Sequence, residues 1–249
     1  MLKHKRILIT GAARGLGKAL AEAAVESGAQ IVIADILEEL GRATAAGLVE
    51  KGFTAHFVRL DLADSDSVKN CADEAISLLG GLDGLVNNGA IATAIGGKTM
   101  EEIDIETWDR VMNVNVRGTW LMTRAVAPAL RQSGAGRVVN MASDTAMWGA
   151  PELLHYVASK GAVISMTRSL ARELGTDGVT VNAIAPGLTV VEATEYVPAA
   201  RHRQYLEGRA IKREQLPNDV TGPVVYLLSD SACFVTGQLL MVNGGFAMN

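Results

Sequence analysis

The chain has 249 residues, 49% hydrophobic and 20% charged, which suits one α/β domain closing a single core; with only 4% aromatics that core has to be aliphatic and alanine-rich. The net charge of −4, with Lys and Arg scattered and no basic stripe, gives nucleic-acid binding no electrostatic support. No apolar run approaches the roughly 18 residues of a membrane span.

In chain order, the basic residues 1–6 run into Ile7-Leu8-Ile9 like the start of a signal peptide, but Gly11–Lys18 interrupts the apolar run at once. Cys71 and Cys233 are far apart and form no C-x-x-C pair, so reduced thiols and a cytoplasmic location are expected. Short apolar runs at Ile7–Thr10, Ile31–Asp35, His56–Asp61, Leu82–Asn87, Arg137–Ser143, Val179–Ala185 and Leu239–Asn243 read as strands. Helical periodicity fills Gly15–Ser27, Leu37–Lys51, Ser65–Leu79, Ile105–Arg131, His155–Leu174 and Asn218–Ser229. Strands apolar at nearly every position are buried on both faces, so the alternation predicts one doubly wound parallel sheet of about seven strands, helices on both faces, over residues 1–249. Two stretches break the rhythm, Ile91–Glu106 and Leu188–Leu216. The second follows a strand end, where ligands bind in open α/β sheets, and is expected to be a substrate lid.

The first strand ends in Gly11-Ala12-Ala13-Arg14-Gly15-Leu16-Gly17 and a helix begins at once. Glycines at 11, 15 and 17 allow a tight turn, close approach of a pyrophosphate and close helix–sheet packing, while the helix N-terminus favours the phosphate charge. Asp35 ends the second strand, eighteen residues after Gly17. A carboxylate there accepts from the adenosine ribose hydroxyls and repels a 2′-phosphate, which selects NAD over NADP; capping of the next helix is its other reading. Arg14 pulls the opposite way, since a guanidinium beside the loop would help hold a 2′-phosphate. Asp61, followed by Leu62 in the same cofactor-facing position, either binds the adenine amino group or caps the helix after it, as Asp64 would.

Taken together, Thr10-Gly11-x-x-x-Gly15-x-Gly17, Asn87-Asn88, Asn115, Ser143, Tyr156-x-x-x-Lys160 and Pro186-Gly187 resemble the short-chain dehydrogenases/reductases over essentially the full length. The resemblance implies a Rossmann-type fold and an NAD-dependent oxidoreductase interconverting an alcohol and a ketone. Tyr156 and Lys160, four apart at a helix start, share one face. A phenol of pKa about 10 is too weakly acidic for a base at neutral pH, and a neighbouring ammonium with the positive nicotinamide ring would bring it down. Ser143 is expected to hold the substrate oxygen. The resemblance also implies that Lys160 binds the nicotinamide ribose and that Asn115, mid-helix, holds a water of a proton relay.

Pro186 and Gly187 are expected against the nicotinamide, with Thr189 on its carboxamide. Two departures from the family pattern stand out. Asn88-Gly89-Ala90 swaps the usual Ala-Gly, so the backbone beside the adenosine ribose is expected to turn one residue earlier. Asn243-Gly244-Gly245 replaces the usual Asp-Gly-Gly. Thr145, Met147, Trp148, His155 and Leu188 to Tyr196 are the expected pocket walls, which favours an apolar or ring-bearing substrate. An NADPH-linked 3-oxoacyl carrier-protein reductase and a catalytically silent NAD sensor are the rival readings. The four histidines and two cysteines form no zinc cluster, so no metal is expected. The two long helices resemble those at family interfaces, which implies a homotetramer.

Overall fold

The computed structural model describes residues 1–248. Seven parallel strands form one sheet in the order β3-β2-β1-β4-β5-β6-β7. These are β1 (Arg6–Thr10), β2 (Gln30–Asp35), β3 (Ala55–Arg59), β4 (Gly84–Asn87), β5 (Arg137–Met141), β6 (Thr180–Pro186) and β7 (Leu239–Val242). Each lies within a residue or two of its predicted span.

Alternate strand residues feed two cores, as a pleated strand requires. Ile7, Ile9, Ile31 and Ile33 meet Leu20, Ala24, Val224 and Leu228 of helices α1 (Gly15–Glu26) and α9 (Pro217–Leu228), with α2 (Glu38–Glu50) on the same side. Leu8, Val32, Leu85 and Val138 face the other way, onto α3 (Ser65–Leu79) and α5 (Thr119–Gln132), whose Val68, Ala72, Met122 and Val126 are buried there. Small side chains permit close packing: a β-carbon added at Gly41 of α2 would stand 2.1 Å from the Phe57 ring.

The predicted helix Ile105–Arg131 is not uniform. It runs as α4 (Ile105–Met112), a π-helical turn over Asn113–Gly118, and α5. Such a widened turn inserts an extra residue and re-aims side chains, often at functional sites. The helix α7 (Leu154–Gly175) matches expectation, and a short α6 (Thr145–Trp148) precedes it. Within 188–216 the chain carries a 3₁₀ turn at Glu192–Thr194 and a helix α8 (Ala199–Gly208), where the sequence shows no apolar stripe. Among the described residues no helix is long and apolar enough to cross a membrane.

Strand order reverses at β1, whose neighbours are β2 and β4, so a crevice opens beyond the carboxyl ends of β1 and β4.

Candidate active site

A cleft of about 1100 Å³ lies over that crevice, running from the glycine turn after β1 to the start of α7. At one end Gly11 and Gly15 take positive φ, 64° and 56°, and no side chain caps α1. The first-turn amides at Gly15, Leu16 and Gly17 are therefore donors in need of an acceptor, beside the positive end of the helix. Arg14 is exposed on the rim. Asn88 pins the turn from below: its side-chain amide donates to the carbonyls of Thr10 (3.0 Å) and Gly11 (2.8 Å).

Gly89 is not left-handed, and a β-carbon on it would first meet the tip of the Leu62 side chain, at 2.9 Å. Gly11 is the position that close approach requires, since a β-carbon there would lie 2.5 Å from Gly89 Cα. The expected earlier turn at Gly89 is thus replaced by close approach of two backbones.

Asp35 is almost fully buried and lines the cleft. Its Oδ2 accepts from the Ala13 amide and Oδ1 from the Leu37 amide, each at 3.0 Å. It braces the glycine turn and the approach to α2, whose N-cap is Leu37 and carries no side-chain cap, so Asp35 does not cap that helix. Asp61 accepts from the Ala63 amide at 2.9 Å, whereas Asp64 is the residue that caps α3. Asp61 and Leu62 both line the cleft. These residues fit a dinucleotide, because uncapped amides, a glycine turn and a carboxylate stand along one continuous groove.

At the other end β5 and β6 deliver Ser143 and Pro186-Gly187 to the cleft, and the first two turns of α7 deliver Tyr156 and Lys160. Ser143 Oγ accepts from the Thr145 hydroxyl at 2.9 Å. The Lys160 ammonium lies 5.6 Å from the Tyr156 ring centroid and donates to the Met141 carbonyl at 2.7 Å. Burial pushes the Tyr156 phenol up to about 12; the Ser143 hydroxyl pulls it down and the Asp144 charge pushes it further up. Burial alone brings Lys160 down to about 8. The lowering is expected from Lys160 together with the positive nicotinamide ring; Lys160 alone, its ammonium turned toward a backbone carbonyl, leaves desolvation to set the direction.

Asn115 is buried behind the cleft, not on it. The π turn aims its side chain at Ile91, whose carbonyl it reaches at 3.1 Å and whose amide it accepts at 2.8 Å. Its amide also donates to Ser159 Oγ at 3.1 Å, and Ser159 donates to the Tyr156 carbonyl at 2.7 Å. These bonds clamp the end of the segment after β4 to the helical turn carrying Tyr156 and Lys160.

Thr145, Leu188 and Thr189 line the cleft as expected, Thr189 with its hydroxyl on the Gly187 carbonyl at 3.2 Å. Trp148 does not. It stands behind Tyr205, its ring edge-on to those of Tyr205 and Phe246 at 6.2 and 5.5 Å, so it is a packing residue and not a pocket wall. Met147 lies outside the lining too, and His155 is buried beneath it, since the first turn of α7 points that ring into the protein. Further walls not named individually from the sequence come from the two stretches that break the strand–helix rhythm: 92–97, and α8 within 188–216 through Ala200, Arg201, Gln204 and Tyr205. Ala94 and Glu152, which both line the cleft, hold positive φ of 56° and 60°, uncommon for residues with side chains.

Residues 11–247 match the family model described as Enoyl-(Acyl carrier protein) reductase. The chain is a short-chain dehydrogenase/reductase. It is 38% identical over 241 residues to the 3-alpha-(or 20-beta)-hydroxysteroid dehydrogenase of Mycobacterium tuberculosis, covering 97% of this chain and 88% of that one. It is 34% identical over 250 residues to the cyclopentanol dehydrogenase of Comamonas testosteroni, covering 100% and 99%. The probable galactose dehydrogenase GalD of Rhizobium meliloti is 34% identical over 247 residues, covering 98% and 95%. A solved short-chain type dehydrogenase/reductase from Mycobacterium ulcerans superposes with a TM-score of 0.93 at 28% identity, covering 98% and 90%. Members of this family are oxidoreductases that use a nicotinamide cofactor, NAD or NADP.

Proposed function

We propose that this short-chain dehydrogenase/reductase interconverts a secondary alcohol and a ketone with NAD(H), Tyr156 being its acid/base. The observation that carries the reading is one cleft with a glycine turn and Asp35 at one end and Ser143, Tyr156 and Lys160 at the other. The bound nicotinamide would supply the hydride acceptor or donor. Ser143 would hydrogen-bond the substrate oxygen, and Tyr156 would take its proton on oxidation or return it on reduction. Lys160 would hold the nicotinamide ribose, and Asn115 would keep α7 in register through Ser159.

NAD is favoured over NADP by Asp35, whose carboxylate is held by backbone amides; among the described residues no ion pair neutralises it. An apolar or ring-bearing substrate is supported by Ala92, Leu153, Leu188, Val191 and Tyr196 on the cleft wall, and by relatives named for a steroid and for cyclopentanol. Trp120 on α5 and Leu154 on α7 are exposed, in keeping with a homotetramer; the free thiols Cys71 and Cys233 accord with a cytoplasmic location.

The test is NADH fluorescence during turnover of alicyclic, aryl, steroid and polyol alcohols, with NAD⁺ and NADP⁺ compared. Tyr156→Phe is expected to lose about 10²–10⁴-fold in turnover while NADH affinity is kept. Undiminished turnover in that variant sinks the acid/base role. Preference for NADP⁺ sinks the Asp35 reading, and cofactor binding without any turnover returns the chain to a sensor.

A further inference from the structure

The helix α8 is poorly supported for a wall of an active site. One face, Ala200, Arg201, Gln204 and Tyr205, borders the cleft, and the other, including His202, Arg203 and Leu206, borders a second cavity of about 270 Å³. It spans ten residues, of which Tyr205 is the buried one, and helices this short are marginal without tertiary anchors.

Tyr205 supplies the anchor. Its hydroxyl donates to Asp144 Oδ1 at 2.7 Å and accepts from Trp148 Nε1 at 3.2 Å, and its ring stacks on Phe246 at 4.2 Å. Asp144 directly follows Ser143. It is fully buried, its amide donates to the Pro186 carbonyl at 3.0 Å, and its Oδ2 has no hydrogen-bond partner. One carboxylate thus joins the loop carrying Ser143, the end of β6 and the lid helix.

We propose that Asp144 and Tyr205 form a latch that holds α8 against the Ser143 loop, making both positioning residues for the active site. Arg209, just past α8, reinforces it by donating to the Leu188 carbonyl at 2.6 Å while its guanidinium lies 5.2 Å from the Tyr205 ring centroid. The charged and titratable groups facing Asp144 are Tyr205 and Arg209 from the lid and Tyr156 from α7, with Arg201 acting on Tyr205 and the neutral Asn243 and Trp148 alongside. Burial pushes Asp144 up to about 6, with the Tyr205 hydrogen bond pulling it back. Its negative charge in turn raises the Tyr156 phenol. The latch therefore both seats the lid and leaves a carboxylate charge beside the acid/base. Its effect on catalysis rests on the oxidoreductase reading; the seating of α8 does not.

The test is hydrogen exchange of the α8 amides by mass spectrometry in the purified full chain without substrate. Tyr205→Phe and Asp144→Ala break the latch, and α8 is expected to exchange about tenfold faster, as loss of a hydrogen bond to a charged group implies. Asp144→Asn keeps an acceptor for the Tyr205 hydroxyl, so α8 is expected to stay near the wild-type rate. Should Tyr205→Phe fail to fold, the comparison of Asp144→Asn with Asp144→Ala decides. Once a substrate is in hand, Tyr205→Phe is expected to raise KM more than it lowers kcat. Asp144→Asn is expected to move the acid limb of alcohol oxidation to lower pH, a shift that a purely structural carboxylate would not produce. Wild-type exchange in folded Tyr205→Phe or Asp144→Ala overturns the latch. Faster exchange in a protein that turns over no alcohol keeps the latch and removes the oxidoreductase reading.

Discussion

Replacing Gly17 by alanine tests the dinucleotide end of the cleft. A β-carbon there would stand 2.0 Å from the Gly11 carbonyl oxygen, 2.5 Å from Asn88 Nδ2 and 2.8 Å from Ala12 Cα. Two of the three obstacles are backbone and cannot rotate away. The third is the amide that holds the carbonyls of Thr10 and Gly11. Overpacking costs about 1–3 kcal/mol and each of the two weakened hydrogen bonds about 0.5–1.5, against roughly 1 gained from helix propensity, leaving a net loss of about 1–5 kcal/mol. In a domain of this size that corresponds to a fall of roughly 2–20 °C in Tm. NADH affinity, read by fluorescence titration, should fall with it, because the displaced turn is the one presenting the amides of α1. Gly47→Ala in α2 is the control: nothing lies within 4 Å of its β-carbon and its φ is not left-handed, so a gain of about 0.5–1 kcal/mol is expected. A Gly17→Ala protein that melts and binds NADH like the wild type would refute the argument.

Two further predictions concern charge. Burial would raise the Asp83 carboxyl, but hydrogen bonds from the Arg6 side chain (2.8 Å) and backbone (2.9 Å) outweigh it and hold the group below the usual carboxylate range. Its stabilisation is present above the unfolded value near 3.9 and is lost as pH falls through the folded one, so Asp83→Asn should cost about 1–3 kcal/mol at pH 7 in thermal melts and progressively less below about pH 4; an unchanged deficit at low pH would contradict this. Lys160, brought down to about 8 by burial, weakens folding fully below that pH and ceases to do so above the unfolded value near 10.4. Lys160→Met should therefore gain about 1–2 kcal/mol at pH 7 after loss of the Met141 hydrogen bond, lose that gain by about pH 10, and abolish turnover; a lower Tm at pH 7 would show that the ammonium is not a liability.

What the sequence made legible follows from locality. Strands buried on both faces are apolar at most positions, so the inner ones could be read from near-continuous apolar runs, while the half-exposed edge strands β3 and β7 were read from shorter runs set between helical stretches. The helix α3 was readable to its ends because Asp64 caps it and Gly80, at φ 68°, stops it. The π turn was invisible, since widening by one residue leaves the apolar pattern of Ile105–Arg131 nearly intact. The helix α8 was invisible for the opposite reason, having one buried side chain and hence no stripe. The glycine turn, Ser143, Tyr156 and Lys160 carry their meaning in short spacings. Asp144 and Tyr205 are 61 residues apart, and no spacing rule joins them. Trp148 was misplaced because an aromatic beside a site packs equally well in front of it or behind it, and only the stacked Phe246 and Tyr205 decide which.

The electrostatics of the site follow from burial acting on three neighbours at once. It moves Asp144 up to about 6, Lys160 down to about 8 and Tyr156 up to about 12, each toward its neutral form. At pH 7 the phenol consequently keeps its proton, with a mostly ionised carboxylate near it and an ammonium committed to the Met141 carbonyl. Forming a phenolate there requires either less negative charge at Asp144 or more positive charge on the cleft side of the ring. The neutral amide of Asn243 matters in this balance, because an aspartate at that position would put a second carboxylate beside Asp144. If Tyr156 is the acid/base proposed above, a cation entering the cleft on the open side of its ring is what would favour the phenolate.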